Sequence, residues 1–449
     1  MQKNQEYILD IEAVSSDGSG IGRVDGMAVF VPLTALGDRA KVKILKVKKT
    51  YAYGKLLSLI KPSKSRIQND CNAFNQCGGC VYRHISYEAE KAIKENKVYE
   101  DIKRIGGVDM APSPIIVALP ERYRNKAQYP VSQDYCAGFY AFHSHRIIPC
   151  EDCLLQPEIF SSITKLVTDW AKEYDISIYD EATHKGFLRH IYIRRAEKTN
   201  EIMVCIVVNG EILPESDQLV DSLLSLCGDS LKSLVININR KDTNVILGEE
   251  CKTIYGDRYI TDVLCGVKVR LSPLSFYQVN RTMAEKLYEK ACEYANPKGK
   301  NIIDLYCGAG TIGLSMAGDA KSIIGVEIIP QAIEDAKYNA KINGIKNARF
   351  ICADATDAAK QLANDGVTCD VVVVDPPRKG CSAEVINTIA KDFKPKDVVY
   401  VSCDSATLAR DIKMFSENGY VLKEYTPCDL FPRTSHVETV ALLERHCNE

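Results

Sequence analysis

The 449-residue sequence predicts an α/β fold whose C-terminal part is built on an open, mostly parallel sheet. Two apolar runs, 371–374 and 398–401, have no polar face and are typical of strands buried on both sides. From about residue 300 onward, strand-like and helix-like segments alternate, which indicates successive βαβ units. Ahead of them, the first 61 residues contain short strands separated by glycine-rich turns, a pattern that predicts a small β-barrel of the OB type.

The composition is that of an ordinary globular protein, with 46% hydrophobic and 26% charged residues. The net charge of -2 gives no overall attraction to nucleic acid, so any RNA contact must come from local patches. No apolar run reaches the ~18 residues of a membrane span, and the N-terminus lacks an apolar signal core. We therefore expect a cytoplasmic protein without membrane contact. The 18 cysteines are scattered, which favours reduced thiols and metal ligation over disulfides.

The predicted barrel carries a strongly basic stretch. Residues 39–69 contain ten basic residues and no acidic one. Lys41 and Lys43 lie on a predicted strand, with Tyr51 and Tyr53 close by in sequence. Cationic barrel faces with aromatic residues suit phosphate backbones and stacked bases, so we predict RNA contact through Lys41 and Lys43. The alternative is a lysine-protected strand edge.

A cysteine motif follows the barrel. In CNAFNQCGGC, Cys71, Cys77 and Cys80 are separated by five and two residues, and the two glycines let the backbone wrap closely around a bound group. Three thiolates require a fourth ligand, and the later candidates are Cys136, Cys150 and Cys153. Spacing alone does not separate an iron–sulfur cluster from zinc, and three unligated cysteines are the alternative.

The sequence divides into three predicted domains: a barrel at 1–61, a central α+β domain at 62–270 that carries the cysteine motif, and an α/β domain at 271–449. Part of 85–120 is an amphipathic helix that we expect to pack on the third domain. A second basic cluster in the central domain predicts RNA phosphate contact. It consists of Arg122, Arg124 and Lys126.

A nucleoside-binding site is predicted at the first strand ends of the α/β domain. The segment NIIDLYCGAGTIG is a strand, a glycine turn and a helix, and Gly308 and Gly310 let the backbone approach a ligand. Glu327 ends the next strand about twenty residues later, where a ribose diol is normally bound, and Asp354 ends a third strand. The DPP turn at 375–377 makes S-adenosylmethionine a better candidate than NAD.

The two apolar runs end in reactive side chains. One is followed by Asp375 and the other by Cys403, and the carboxyl ends of neighbouring parallel strands meet at one site. A carboxylate and a thiol together suggest covalent catalysis. A helix that begins near Ser405 is expected to lower the pKa of Cys403. The alternative is a loop acid beside a buried structural cysteine.

With these motifs in view, the chain resembles the RNA uracil-5-methyltransferases, in the branch with an N-terminal TRAM domain and an iron–sulfur cluster. The motifs that carry the resemblance, in the family's order, are CxxxxxCxxC, SFYQVN, DLYCGAGT, DPPRKG, VSCDSATLARD and HVETVALL. The resemblance covers nearly the whole chain. It implies a Rossmann-like class I S-adenosylmethionine methyltransferase domain behind a TRAM barrel and a cluster-bearing central domain.

The resemblance also implies roles for individual residues. Cys403 would be the nucleophile and Glu438 the proton acceptor. The S-adenosylmethionine contacts would be Gln278, Tyr306, Glu327 and Asp375, with Gly308, Gly310 and Asp354 beside them. A [4Fe-4S] cluster would be held by Cys71, Cys77, Cys80 and Cys153, the last chosen over Cys150 by its CLLQ context.

The implied activity is methylation of uridine C5 through a covalent bond between Cys403 and C6, which yields 5-methyluridine. The expected substrate is 23S ribosomal RNA, the expected state is a monomer, and a tRNA T-loop uridine is the first alternative. Amino-group methylation of adenine or cytosine is disfavoured because Arg378, and not an aromatic residue, follows the DPP turn. A non-catalytic RNA-binding protein is the remaining alternative.

Overall fold

The computed structural model describes residues 1–142 and 144–446, which pack as two compact units. The first unit comprises Met1–Lys97, Phe139–Ile148 and Phe431–His436, and the second comprises the rest of the described chain. The three-domain division made from sequence stays a prediction. No helix within the described ranges is both long and apolar enough to cross a membrane.

The first unit begins with a six-stranded sheet in the order β1-β5-β6-β4-β3-β2. Its strands are β1 (Glu6–Asp10), β2 (Ala13–Val14), β3 (Gly20–Val24), β4 (Met27–Val31), β5 (Arg39–Val47) and β6 (Tyr51–Lys61). A Cβ added at Gly22 of β3 would lie 2.9 Å from the carbonyl oxygen of Asp10 in β1. Strand β1 is one edge of the sheet and β3 lies next to the other edge, so the two edges approach each other. This close approach bends the sheet around a small apolar core that includes Leu9, Val29 and Val42.

Helix α1 (Tyr87–Arg104) follows the cysteine motif, with Glu88 and Glu90 in its first turn and Lys103 and Arg104 in its last. This charge order complements the helix dipole. From Val98 onward the helix belongs to the second unit, where Val98 and Ile102 are fully buried in its main hydrophobic core.

The middle of the chain supplies a five-stranded sheet in the order β13-β12-β11-β10-β7 and two small hairpin sheets. The elements in chain order are β7 (Lys126–Pro130), β8 (Gly138–Tyr140), β9 (Ile147–Pro149), α2 (Glu158–Glu173), β10 (Leu188–Arg195), β11 (Ile202–Val208), α3 (Ser216–Cys227), a 3-10 turn (Gly228–Ser230), β12 (Leu231–Ile238), β13 (Glu250–Gly256), β14 (Ile260–Leu264) and β15 (Val267–Leu271). Every residue of β11 is buried, which explains its continuous apolar sequence IMVCIVV.

The C-terminal part is an open α/β sheet, as the sequence predicts. Its elements are α4 (Arg281–Ala295), β16 (Asn301–Leu305), α5 (Thr311–Met316), β17 (Ser322–Glu327), α6 (Pro330–Ile342), β18 (Ala348–Cys352), α7 (Ala355–Asn364), β19 (Val371–Val374), α8 (Ala383–Thr388), a π-helical turn (Ile389–Phe393), β20 (Asp397–Ser402), α9 (Ser405–Glu417), β21 (Tyr420–Cys428) and β22 (Glu438–Arg445). The two apolar runs lie in β19 and β20, which are fully buried parallel neighbours.

The strand order of this sheet is β18-β17-β16-β19-β20-β22-β21. The five strands from β16 to β20 are parallel, and β22 pairs antiparallel with both β20 and β21. The strand order reverses beside β16, and in open α/β sheets such a switch point opens a crevice at the carboxyl ends of the strands. The residues that follow β16, β17, β19 and β20 therefore share one edge.

Candidate active site

Cys403 lies in the short link between β20 and α9. The side chain of Asp404 caps this helix by accepting a 2.8 Å hydrogen bond from the backbone N–H of Thr407, and the helix begins at Ser405 as predicted. In the antiparallel ladder, Ser402 is the partner of Thr439. Cys403 directly follows Ser402, and Glu438 directly precedes Thr439. The antiparallel register therefore brings Cys403 and Glu438 opposite each other.

Asp375 follows β19, the strand beside β20, and its backbone N–H donates to the carbonyl oxygen of Leu305 at 3.4 Å. The charges of Glu438 and Asp375 both raise the pKa of Cys403, and the charge of Arg378 lowers it. Charges shift a pKa in this way when they lie near the titrating group. The structure therefore assembles a thiol, two carboxyl groups and one guanidinium at a single strand edge.

Burial controls the protonation of this cluster. The pKa of Glu438 is raised to about 8, first by burial and then by the charge of Asp375, while the charge of Arg378 acts in the opposite direction. Burial also raises the pKa of Asp375 to about 7. The pKa of Cys403 rises to about 11, through burial first and then the charges of Glu438 and Asp375. The expectation of a lowered thiol pKa was wrong because burial and two facing carboxylates outweigh the helix N-terminus.

Arg378 is a site residue that the sequence reasoning did not identify. It is exposed on the loop after the DPP turn, and its charge lowers the pKa of both Cys403 and Glu438. The available signal was its position: it is the first basic residue after the turn that ends β19. A cation there favours the thiolate that a covalent reaction would need.

The neighbouring strand ends hold Glu327 and the glycine turn. The carboxylate of Glu327 accepts hydrogen bonds from the backbone N–H groups of Gly308 (3.2 Å) and Ile329 (2.9 Å). Gly308 has a φ of +55°, and a Cβ added to it would meet no atom within 4 Å. The backbone at this turn therefore faces open space beside a fixed carboxylate, as a bound nucleoside would require.

Asp304 and Tyr306 flank this turn. Asp304 is buried, accepts a 3.0 Å hydrogen bond from the N–H of Gly313, and has a pKa of about 7, which burial raises first and the charges of Asp375 and Glu327 raise further. Tyr306 has a left-handed φ of +65°, which is uncommon for a residue with a Cβ. Such backbone strain clusters at binding sites.

The remaining predicted cofactor residues lie at the periphery of this region. Asp354 caps α7 by accepting a 2.8 Å hydrogen bond from Thr356 N–H, which holds the pKa of its carboxyl below the usual value. Gln278 is half-buried, and its backbone carbonyl oxygen accepts a hydrogen bond from the side-chain amide of Asn125 at 3.0 Å. Sequence reasoning missed two exposed apolar residues directly after Glu327: Ile328 and Ile329 are 59% and 56% exposed.

Comparison with known proteins agrees with this arrangement. Residues 265–446 match the tRNA (Uracil-5-)-methyltransferase family model, and residues 2–57 match the TRAM domain model. An RNA methyltransferase of Halalkalibacterium halodurans is 43% identical over 99% of this chain and 98% of its own length. A relative from Clostridium acetobutylicum is 42% identical over the same shares. This chain belongs to the RNA uracil-5-methyltransferase family.

A solved structure of the family has the same fold as this methyltransferase. The tRNA (uracil-54, C5)-methyltransferase of Pyrococcus abyssi, in complex with S-adenosyl-L-homocysteine, is 28% identical. It matches with a TM-score of 0.79 over 97% of this chain and 99% of its own. The C-terminal sheet is thus the Rossmann-like methyltransferase domain, and β1–β6 form the TRAM domain.

The basic residues that we predict to contact RNA do not all have the same surroundings. Lys41 is exposed on β5 and forms a 2.7 Å ion pair with Glu6, whereas Lys43 on the same strand is half-buried. Both terminal nitrogens of Arg122 bind the carboxylate of Asp152, at 2.6 and 2.7 Å. Arg122 therefore serves a contact inside its own unit, which leaves less of its charge for RNA.

Lys126 and Arg124 have a more electropositive setting. The pKa of Lys126 is lowered to about 8, first by burial and then by the charges of Arg194 and Arg124. The β7–β10 ladder pairs Lys126 with Arg194 directly. Adjacent cations repel one another, and a bound phosphate would relieve that repulsion.

The structure does not support the predicted iron–sulfur cluster. The predicted ligands are Cys71, Cys77, Cys80 and Cys153, the last chosen over Cys150. Across 1–142 and 144–446, no three His, Cys, Asp or Glu side chains come together as a metal site. The sequence spacing suggested a metal centre, but thiolates bind one only when their side chains converge.

Proposed function

We propose that this methyltransferase transfers a methyl group from S-adenosylmethionine to C5 of a uridine in RNA, through a transient covalent bond between Cys403 and C6 of the ring. The register that brings Cys403 opposite Glu438, with Asp375 and Arg378 beside them, carries the proposal. C5 methylation by this route needs a sulfur nucleophile and a separate base within reach of one pyrimidine ring. These are the groups at this edge.

The glycine turn fits S-adenosylmethionine. Glu327 offers a carboxylate to the ribose diol, the open backbone at Gly308 lets the nucleoside approach, and the exposed Ile328 and Ile329 offer an apolar surface to the adenine. Gln278, Tyr306 and Asp375 are the further contacts that we propose, with Gly310 and Asp354 beside them. When bound, the cofactor supplies an electrophilic methyl group.

The first chemical step belongs to Cys403. Its thiolate adds to C6 of uracil, and the electrons of the C5–C6 double bond move toward O4 to give an enolate, which makes C5 nucleophilic. Arg378 favours the thiolate, because its charge lowers the pKa of Cys403. Asp375, with a pKa of about 7, can exchange a proton with the polar edge of the base as charge develops there.

The last step belongs to Glu438. After C5 has taken the methyl group it still carries a proton, and a base must remove that proton so that the double bond re-forms and the sulfur leaves C6. Burial raises the pKa of Glu438 to about 8, which makes it a stronger base than an ordinary carboxylate. The register opposite Cys403 supports a role for both side chains on one pyrimidine ring.

RNA must present the uridine outside its stack, because C6 is inaccessible in a paired helix. Phe276, 75% exposed and two residues before Gln278, offers a stacking surface for a neighbouring base. We propose that Lys41 and Lys43 in the TRAM domain, and Arg124 and Lys126 in the second unit, bind backbone phosphates. Arg122 is a weaker candidate because Asp152 binds its guanidinium.

Two substrates remain in competition. The sequence resemblance favours 23S ribosomal RNA, which would place the activity in the cytoplasm, and the related Pyrococcus abyssi enzyme is described as acting on uridine 54 of tRNA. Mass-spectrometric mapping of 5-methyluridine in both RNAs, from cells with and without the gene, decides between them. Loss of one 5-methyluridine from 23S RNA is the expected result, and loss from tRNA alone would select the second candidate. No change in either RNA would contradict the proposed function.

The covalent step has a direct test. RNA carrying 5-fluorouridine at the mapped position cannot lose a proton from C5, so it should remain bonded to the protein. Digestion and mass spectrometry should find the nucleotide on the peptide that contains Cys403. Cys292→Ala, which changes a half-buried thiol on α4, is the matched control and should trap as well as the parent. Trapping at another residue would refute the role of Cys403, and the absence of trapping would refute the covalent route.

The cluster question is separate from this chemistry. Iron and sulfide content of anaerobically purified protein, compared with the Cys77→Ala variant, measures it directly. Bound iron that disappears in the variant would show that the cysteine motif holds a cluster despite the arrangement of these side chains. Absence of iron from both would contradict a cluster in this chain.

A further inference from the structure

Asp411 is a fully buried carboxylate on α9, the helix that begins two residues after Cys403. Its Oδ2 atom accepts hydrogen bonds from the hydroxyl of Tyr400 (2.6 Å) and the backbone N–H of Cys381 (2.9 Å). Its Oδ1 atom accepts from Nε of Arg410 at 2.8 Å. A buried carboxylate is costly unless its oxygens are hydrogen-bonded in this way, so the contacts define a specific arrangement.

These contacts fasten the loop after the DPP turn to α9. The hydroxyl of Thr407 donates to the carbonyl of Arg378 at 3.1 Å, and Arg410 donates to the carbonyl of Lys379 at 2.9 Å. The backbone N–H of Cys381 also donates to Asp411. Helix α9 therefore forms hydrogen bonds with three of the four loop residues 378–381. The loop therefore cannot move independently of α9 without losing several hydrogen bonds.

Gly380 shows how close this packing is. It has a φ of +75°, and a Cβ added to it would lie 2.4 Å from the side chain of Thr407 and 2.5 Å from Oδ2 of Asp411. Only glycine combines that backbone conformation with that approach. The loop is thus shaped to fit α9 at this position.

We propose that Asp411, through Tyr400 and the Cys381 backbone, is a positioning residue that holds Arg378 beside Cys403 and Glu438. Because Cys403 leads directly into α9, the same helix fixes both the nucleophile and the loop that carries the cation. A reacting pair attached to one rigid element keeps its geometry without further adjustment. The assignment of Cys403 as nucleophile rests on the proposed function, but the positioning itself is measurable without RNA.

The test is the pH dependence of Cys403 alkylation by iodoacetamide, followed by mass spectrometry of the Cys403 peptide. The charged groups that face this thiol are Glu438, Asp375 and Arg378. Tyr400→Phe removes one donor from Asp411 and leaves the sheet intact. If Arg378 is released, the alkylation midpoint should rise by about one pH unit, since the cation no longer favours the thiolate. The kcat for methyl transfer should fall about tenfold with an unchanged KM for S-adenosylmethionine.

Tyr420→Phe is the matched control. Tyr420 is equally buried in the same sheet, and its hydroxyl donates to the carbonyl of Pro395 at 2.8 Å without touching the loop. Its alkylation midpoint and kcat should equal those of the parent. Equal shifts in both variants, or a parental midpoint in Tyr400→Phe, would overturn the proposal.

Arg378→Ala completes the experiment. It should raise the midpoint by itself, and Tyr400→Phe should add nothing to it, because both changes remove one cation from one thiol. Additive shifts would mean that Asp411 acts by another path. Asp411→Asn is a second test of the same contact and should shift the midpoint in the same direction. Failure of the parent protein to make 5-methyluridine would refute the proposed function. The alkylation result would still test whether Asp411 positions Arg378.

Discussion

At the ends of β17 and β18, carboxylates accept hydrogen bonds from backbone N–H groups, whereas at the ends of β19 and β22 they lie among other ionisable side chains. Glu327 accepts two backbone N–H bonds and Asp354 accepts one from Thr356. On the other side, burial and neighbouring charges set the pKa values of Asp375 and Glu438, at about 7 and about 8. The two regions belong to one sheet edge, yet only the first satisfies its acids within the fold.

This difference separates binding from reaction. A carboxylate already held by backbone donors stays charged and in place, which suits recognition of a cofactor's hydroxyl groups. A buried carboxyl whose pKa lies near neutrality changes its protonation easily, which suits proton transfer. We therefore expect a variant of Glu327 to change cofactor affinity and a variant of Glu438 to change the rate of the chemical steps.

The largest expected effect is that of Cys403→Ala. Without the sulfur, C5 of uracil cannot be activated, so kcat should fall by about 10⁴-fold or more, while S-adenosylmethionine affinity in calorimetry should stay within about twofold of the parent. Cys352→Ala is the control in the cofactor region: this thiol is exposed at the end of β18 and should be dispensable. Full methyl transfer by Cys403→Ala would remove the distinction between the two regions.

Glu438→Gln should rank second, with a loss of about 10³-fold in turnover. Cys403 can still add to the ring, but the C5 proton remains, so a protein–RNA adduct should accumulate and survive denaturing electrophoresis. In the parent, the rate should rise as pH increases through about 8, because Glu438 must lose its proton to act as a base.

Glu444→Gln serves as the control for that experiment, since Glu444 lies at the far end of β22 and pairs with Lys423 at 2.8 Å. It should form no lasting adduct and should keep the parental turnover. An unaltered pH profile in Glu438→Gln would transfer the role of base to another residue.

Glu327→Gln should have a smaller and different effect. A neutral amide binds a ribose diol less well than a carboxylate, so KM for S-adenosylmethionine should rise about tenfold with kcat nearly unchanged at saturation. Glu334→Gln, which alters an exposed acid of α6 paired with Lys337 at 3.0 Å, should leave both constants unchanged. A loss confined to kcat would place Glu327 with the reacting groups instead.

The smallest effects should appear in stability, with opposite signs in the two regions. The folded-state pKa of Glu438 lies above its usual value, so the fold favours the protonated form, and the stability this contributes is lost as pH rises through about 8. Glu438→Gln should therefore raise the free energy of unfolding, by about 1 kcal/mol or more at pH 9, and by less at pH 5.

Asp354→Ala should lower it by about 1 kcal/mol, since it removes the cap of α7. The pKa of Asp354 is lowered in the fold, so this loss should be present above the ordinary pKa and should vanish on acidification. Denaturation at pH 9 and pH 5 measures Glu438→Gln, and denaturation at neutral pH and well below the ordinary pKa of an Asp carboxyl measures Asp354→Ala. Changes of the same sign in the free energy of unfolding would show that the fold affects the carboxyl groups of the two regions in the same way.

Local signals in the sequence were enough for much of this site. The apolar runs of β19 and β20, the glycine turn at Gly308 and the residues that end each strand all follow from short-range patterns, and the structure confirms the strands and their parallel pairing. The helix start at Ser405 was also correct. The metal centre could not be settled this way, because spacing shows which thiols are available but not whether they converge.

The sequence by itself determined which chemical groups stand at the strand ends, because strand periodicity and turn chemistry act over a few residues. Only the tertiary structure decided how those groups affect one another. The antiparallel return of β22 brings Glu438 opposite Cys403, burial moves both of their pKa values upward, and α9 holds the Arg378 loop beside them. Charge interactions depend on distance and burial in the folded chain, and neither is encoded by any one stretch of residues.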